Sequence, residues 1–244
     1  MSVLKNILFP PRCLICAQIL PPFSDAVLCA ECSLEPYRFG PNRCRICSGP
    51  VPEDKAEGQV CAACLMHGST VPGRAMFRYT GGMREAIHRF KYEDQASYAQ
   101  GFARLAVEED PTAFQHAACL VPIPIHKSRL RTRGYNQALL LAQALSRETG
   151  IPVMDILCRD RATAAQNQLS SHARRENLHG AFGMAKNADS ILQELPVGDL
   201  LLVDDIYTSG STIEEAARTL RPLAGERKIR FCTLALKTAS GGEV

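Results

Sequence analysis

The chain has 244 residues, 46% hydrophobic and 22% charged, with a formal net charge of +3. That composition suits a soluble globular protein with room for one full domain and a small one. The small positive excess excludes nucleic-acid binding through overall charge, so any basic surface is local, and no run approaches the ~20 apolar residues that span a bilayer.

The first eleven residues carry one lysine and a three-residue apolar run, Ile7-Leu-Phe9. They lack the apolar core of a signal peptide, so the expected location is cytoplasmic. Eight of the eleven cysteines follow between residues 13 and 64, all in C-x-x-C pairs: Cys13/Cys16, Cys29/Cys32, Cys44/Cys47 and Cys61/Cys64. Gaps of 12, 11 and 13 residues separate the pairs. Near-even pairs match zinc-ribbon ligation, in which each C-x-x-C forms one knuckle. A disulfide framework needs an oxidising compartment, and a redox C-x-x-C normally occurs once. Two four-cysteine zinc sites are therefore expected, most simply Cys13, Cys16, Cys29 and Cys32 on one ion and Cys44, Cys47, Cys61 and Cys64 on the other, although spacing also permits a crossed arrangement. Four thiolates leave no open coordination position, so both sites are structural. Residues 1–70 are rich in proline and short of periodic apolar segments, so zinc is expected to hold them as one module that chelation would melt. Arg12, Arg43 and Arg45 beside the pairs are candidate phosphate or nucleic-acid contacts, although such modules also simply brace a neighbouring domain. Cys119, Cys158 and Cys232 lie in apolar stretches and read as buried small hydrophobes.

A turn cluster, Gly68-Ser-Thr-Val-Pro-Gly73, opens the second region, residues 71–244. Ala75–Tyr79 reads as a strand, Gly82–Tyr92 and Gln95–Glu109 as helices, and Cys119–Pro124 as a strand ending at prolines. His126–Arg133 then reads as a loop with Lys127, Arg129, Arg131 and Arg133 at every second position. Gly134–Thr149 is a helix with Ala138, Leu141, Ala142 and Leu145 on one face. Val153–Cys158 reads as a strand, Arg159–Gly180 as a polar stretch without periodicity, and Ile229–Leu236 as the last strand. Alternation of strands and helices predicts a mainly parallel α/β sheet flanked by helices.

The stretch Leu200–Thr212 carries the most chemistry. Leu200–Val203 is continuously apolar, as in a parallel strand buried on both faces. Asp204 and Asp205 stand at its C-terminal end, the edge where open α/β sheets bind ligands. Thr208-Ser-Gly-Ser-Thr212 then feeds a helix whose N–H groups and dipole favour an anion. Two carboxylates repel a phosphate and accept from hydroxyls, so acids plus loop describe a sugar phosphate. An ordinary capped helix after a strand gives a similar string.

Read whole, Leu200–Thr212 closely resembles the motif with which type I phosphoribosyltransferases bind 5-phosphoribosyl 1-pyrophosphate (PRPP). The resemblance implies that fold, with Asp204 and Asp205 on the ribose hydroxyls and Thr208, Ser209, Gly210, Ser211 and Thr212 on the 5′-phosphate. It also implies a pyrophosphate site at the basic loop, through Lys127 and Arg129 as the residues nearest the strand, where a solvated basic turn is the plainer alternative. The stretch from Arg161 through Gln166 to Arg175 corresponds to the family's closing loop.

Further strings extend the likeness: Phe9-Pro-Pro-Arg-Cys-Leu-Ile-Cys16, Phe90-Lys-Tyr92, Val121-Pro-Ile-Pro124, Arg131-Thr-Arg-Gly-Tyr-Asn-Gln137 and Arg174-Arg-Glu-Asn-Leu-His-Gly-Ala-Phe182. With the cysteine pairs they make the whole chain similar to the ComF family, including its GntX-like DNA-utilisation members, which joins a double zinc ribbon to a phosphoribosyltransferase domain. Ala165 departs from the proline often found there. Lys91 matches the family's basic residue, a phosphate or pyrophosphate contact, but is equally read as a helix-end lysine favoured by the dipole. Asn136 and Gln137 are expected near the ligand, and His88, His126, His172 and His179 are candidate bases. The resemblance implies a pentosyltransferase using Mg²⁺ with PRPP, or an adaptor that senses PRPP or a nucleotide phosphate, binds single-stranded DNA and meets competence-machinery proteins. Residues near 70–110 and 225–244 are the expected acceptor hood.

Overall fold

A computed structural model describes residues 10–54, 58–92, 97–159 and 180–238. The expected closing loop with His172 and His179 lies outside those residues, as does the end of the expected hood beyond 238.

The chain begins with one knuckle built twice. Cys13 N donates to Gln18 O (2.8 Å) and Ala17 N to Cys13 O (2.9 Å); Cys44 N donates to Gly49 O (2.8 Å) and Ser48 N to Cys44 O (2.9 Å). Antiparallel bridges Arg12–Ile19 and Arg43–Pro50 flank the two turns. Ala17 and Ser48 both take positive φ, 62° and 60°, a costly backbone for residues with a Cβ. The signal lay in the sequence as Arg12-Cys-x-Ile-Cys16 repeated at Arg43-Cys-x-Ile-Cys47. A short helix, α1 (Ala62–His67), closes the second ribbon, with Cys61 as its N-cap and Gly68 in the left-handed region as its C-cap.

The main sheet has four strands: β1 (Gly73–Arg78), β2 (Ala117–Pro122), β5 (Asp199–Tyr207) and β6 (Ile229–Leu236). All pair in parallel, in the order β1-β6-β5-β2. Leu200, Leu201, Leu202 and Val203 are fully buried, as a strand covered on both faces requires. One face packs against α2 (Gly81–Tyr92), α3 (Tyr98–Glu109) and α5 (Gln137–Thr149), with Phe90, Phe102, Leu141 and Leu145 in the core. The other packs against α7 (Ser211–Ala224) through Ile213, Ala216, Ala217 and Leu220. Two short strands, β3 (Leu157–Cys158) and β4 (Gly183–Met184), pair antiparallel to each other, and α6 (Ala188–Glu194) leads into β5.

Three expectations are corrected. The basic segment is not a loop but a two-turn helix, α4 (Lys127–Arg133), because His126 caps its start by accepting from Ser128 N and Gly134 stops it at φ 79°. The next helix starts at Gln137 rather than Gly134, because Gly134 is left-handed and Asn136 is the N-cap accepting from Ala138 N. The expected strand 153–158 makes one parallel bridge, Val153–Leu120, and then leaves the main sheet so that Leu157 and Cys158 pair with β4.

The ribbons are packed into the sheet domain. Cys13, Leu14, Ile15 and Leu20 share a core with Phe90 and Phe102, and Arg89 donates to the carbonyls of Leu14 (2.9 Å) and Ile15 (2.7 Å). Gly73 N of β1 donates to Ile46 O (2.8 Å), and Gly49 lies so close to Leu236 that an added Cβ would approach it to 2.4 Å. Among the described residues no helix is long and apolar enough to cross a membrane.

Candidate functional site

Two cysteine groups assemble: Cys13, Cys16, Cys29 and Cys32, and Cys44, Cys47, Cys61 and Cys64, with all sulfurs of a group within 4.8 Å of one another. This is the sequential grouping. Cys16 and Cys29 Sγ are 3.7 Å apart, as are Cys47 and Cys61 Sγ. A tetrahedral zinc with Zn–S of about 2.3 Å has an S–S edge of roughly 3.8 Å, so the spacing fits that ion. In the second group Ile46 N points at Cys44 Sγ (3.4 Å), Gly49 N at Cys47 Sγ (3.4 Å), Cys61 N at Cys44 Sγ (3.2 Å) and Cys64 N at Cys61 Sγ (3.5 Å). Such N–H groups stabilise thiolates and orient them.

The acidic pair lies just past the end of β2, whose last partner is Val203. β5 runs on beside β6 to Tyr207, which makes Asp204 and Asp205 strand residues rather than strand-end residues. Neighbours on a strand point to opposite faces. Asp205, 9% exposed, meets Lys91 from the end of α2, with Nζ 2.7 Å from Oδ2. The Phe-Lys-Tyr string thereby gains a physical reading: Phe90 is buried, Lys91 reaches the acids, and Tyr92 lies under the Arg133 guanidinium at 4.7 Å. Asp204 accepts from Asp205 N (2.9 Å). Burial, and then the Asp205 charge, push its carboxyl up to about 7, against the pull of that hydrogen bond and of Lys91.

After Tyr207 the chain turns through Thr208, Ser209 and Gly210 into α7. Thr208 is exposed, while Ser209 and Ser211 are buried with their hydroxyls 2.8 Å apart. The first backbone bond of α7 runs from Glu214 N to Gly210 O, so the N–H groups of Ser211, Thr212 and Ile213 precede the helix ladder. Glu214 and Glu215 are engaged by backbone N–H groups of other segments. Glu214 accepts from Thr70 N (2.5 Å) and Val71 N (2.9 Å), and Glu215 accepts from Gly180 N (2.6 Å).

The basic helix divides its charges. Lys127 and Arg131 are exposed, whereas Arg129 and Arg133 are partly buried. Arg133 donates to Gln137 Oε1 (2.9 Å) and the Tyr92 hydroxyl (2.8 Å). Asn136 donates to Ile123 O (3.1 Å), so it anchors the chain beneath the site as well as capping α5. The residue that sequence reasoning missed is Arg159, 7% exposed, its guanidinium 5.4 Å from the Phe182 ring. It lies within electrostatic reach of Arg129 and Asp204, and burial followed by Arg129 lowers its pKa. Its place at the start of an aperiodic stretch hid it; the only signal was that it directly follows an apolar strand.

Four other candidates make contacts within the fold. His88 packs on Tyr92 with ring centroids 4.8 Å apart, and His126 is a helix cap. Arg43 donates to Gly40 O and Phe39 O, and Arg12 to Ala17 O. Arg45 is exposed.

Comparison with known proteins follows the same division. Residues 4–65 match the double zinc ribbon domain and residues 135–244 the phosphoribosyl transferase domain. Competence protein F of Haemophilus influenzae is 38% identical over 146 residues, 57% of this chain and 62% of that protein, so the match spans less than two thirds of it. DNA utilization protein YhgH of Salmonella typhimurium is 30% identical over 197 residues, 72% of this chain and 83% of the relative. Competence protein ComFC of Streptococcus pneumoniae is 27% identical over 237 residues, 91% and 99% of the two chains.

Proposed function

The chain belongs to the ComF family of competence and DNA-utilisation proteins, and on that premise we propose that it binds Mg²⁺–PRPP at this sheet edge and transfers the phosphoribosyl group to a nitrogenous acceptor. The acceptor nitrogen forms a bond to the anomeric carbon as the bond to pyrophosphate breaks. The observation that carries this reading is the Asp204–Asp205 pair, balanced by Lys91 and followed within three residues by the turn into α7. The carboxylates accept from the ribose hydroxyls, and the 208–212 turn with the α7 N-terminus receives the 5′-phosphate. Arg129, Arg159 and Lys127 supply positive charge for the departing pyrophosphate. Mg²⁺ binds through one or two carboxylates plus substrate phosphates, a donor set that Asp204 fits, and it would neutralise charge on the leaving group.

Calorimetry with Mg²⁺ and PRPP tests this. Wild type is expected to bind, and Asp204→Ala/Asp205→Ala to lose at least about 100-fold in affinity, the equivalent of roughly 2.7 kcal/mol. Asp204, held near 7, is driven to its carboxylate form by the incoming cation. Binding should therefore release protons and tighten as pH rises from about 6 to about 8. No wild-type binding rejects the reading.

A second reading rests on the exposed Lys127 and Arg131 of α4 and on the DNA utilization name that one relative carries. Here the chain handles single-stranded DNA, with α4 tracking the phosphates. Affinity for an oligonucleotide should fall with salt, and Lys127→Ala/Arg131→Ala should reduce the salt slope by about 1.4, close to 0.7 per phosphate contact. An unchanged slope removes α4 from that role.

A further inference from the structure

The turn that leaves β5 packs at Gly210 on the side chains of Tyr207 and Ser69. Gly210 has φ 76°, and a Cβ there would come within 2.3 Å of the Tyr207 hydroxyl and 3.0 Å of Ser69 Oγ. The turn's backbone therefore sits directly on the hydrogen bond from the Tyr207 hydroxyl to Ser69 Oγ, 3.1 Å long. Beside it a surface pocket of roughly 300 Å³ is lined by His67, Thr70, Ser209, Ser211, Glu214 and Arg218 among others. The Tyr207–Ser69 contact is therefore the nearest support of the turn at Gly210. The Tyr207 ring needs no hydroxyl to keep its place, because it stacks on Phe231 at 4.8 Å and 16°.

Ser69 in turn is tied to a residue of the second cysteine group. Its N–H donates to the carbonyl of Cys64 (3.0 Å), just past the C-cap of α1. That helix has six residues and carries two ligands, Cys61 at its N-cap and Cys64 within. Isolated helices shorter than ~12 residues do not hold themselves, so α1 depends on its metal and its packing. Glu214 adds a second tie from the same segment, through Thr70 N, Val71 N and Thr70 Oγ1, into the first turn of α7. The Cys13 group docks on α2 and α3 instead.

We infer that the Cys44/Cys47/Cys61/Cys64 centre holds the 208–212 turn in its anion-binding shape through Ser69 and Tyr207, so that Tyr207 is a positioning residue for the sugar 5′-phosphate. This rests on the sugar-phosphate reading of the site. It makes affinity for the 5′-phosphate depend on occupancy of one of the two metal centres.

The test uses the zinc-loaded full chain with Tyr207→Phe, Ser69→Ala and the double variant. Each single change is expected to weaken ribose 5-phosphate binding about 3- to 10-fold, the worth of one hydrogen bond, and the double change no further. Affinity for inorganic pyrophosphate should stay unchanged, with two zinc ions per chain retained. Amides of residues 208–212 should exchange with deuterium faster in both variants, with or without ligand. Cys61→Ser should give a larger loss of the same kind; if it does not fold, the two milder variants carry the test. Unchanged exchange and unchanged ribose 5-phosphate affinity, where wild type binds, overturn this inference alone. Faster exchange in a protein whose wild type binds neither ribose 5-phosphate nor PRPP overturns the proposed function and the positioning role with it.

Discussion

Removing zinc is expected to abolish cooperative folding of the whole chain, beyond the melting of residues 1–70 that their composition predicts. Each structural zinc supplies roughly 10–16 kcal/mol of apparent binding energy, comparable to the ~5–15 kcal/mol that holds a domain folded. The coupling is visible in the packing. Leu14, Ile15 and Leu20 lie in one core with Phe90, Phe102 and Leu145, and Phe39, Ile46 and Cys47 lie in the other with Leu236 and Phe231. Arg89 spends its guanidinium on the carbonyls of the first knuckle. Loss of the ribbons therefore exposes apolar surface on α2, α3 and β6. Elemental analysis should give two zinc ions per chain, and circular-dichroism melts should show the single transition disappear after chelation. A zinc-free chain that unfolds at the same temperature would refute the assignment.

The Lys91–Asp205 pair carries the second large effect. Both side chains are mostly buried, 16% and 12% exposed, with charged atoms 2.7 Å apart. Lys91→Met leaves Asp205 as an uncompensated charge beside Asp204, and breaking a buried pair in this way costs about 3–5 kcal/mol. For a chain of this size that is a fall of roughly 6–20 °C in Tm. Adding Asp205→Asn should recover most of the loss, because the stranded charge is then gone. The double-mutant cycle isolates the pair from lost packing of the lysine stem. Equal melting temperatures for single and double variants would show that the pair does not act as proposed.

The same pair marks what could be read in advance. Lys91 was legible as the basic residue of Phe90-Lys-Tyr92 and Asp205 as half of an acidic pair, but nothing in either string joins residues 114 positions apart. Arg159 reached the site by the same route, as did the bond between Tyr207 and Ser69, 138 positions apart. The basic helix failed for a local reason. Charges at every second position suggest an extended loop, and what makes the segment helical is a histidine cap at His126 and a left-handed Gly134, neither of which periodicity records.

What the sequence determined by itself was the local chemistry: four C-x-x-C pairs whose spacing suits tetrahedral thiolate, and a continuous apolar strand that delivers two acids and a glycine turn to a helix N-terminus. Those features depend on contacts a few residues apart, so composition and spacing express them directly. Tertiary structure alone decided which lysine balances the acids, which arginine joins them, and that the segment leaving the second cysteine group stands under the glycine turn. Four parallel strands with helical crossovers bring distant segments to one edge, and the long-range packing that does so leaves no mark in any single stretch of the chain.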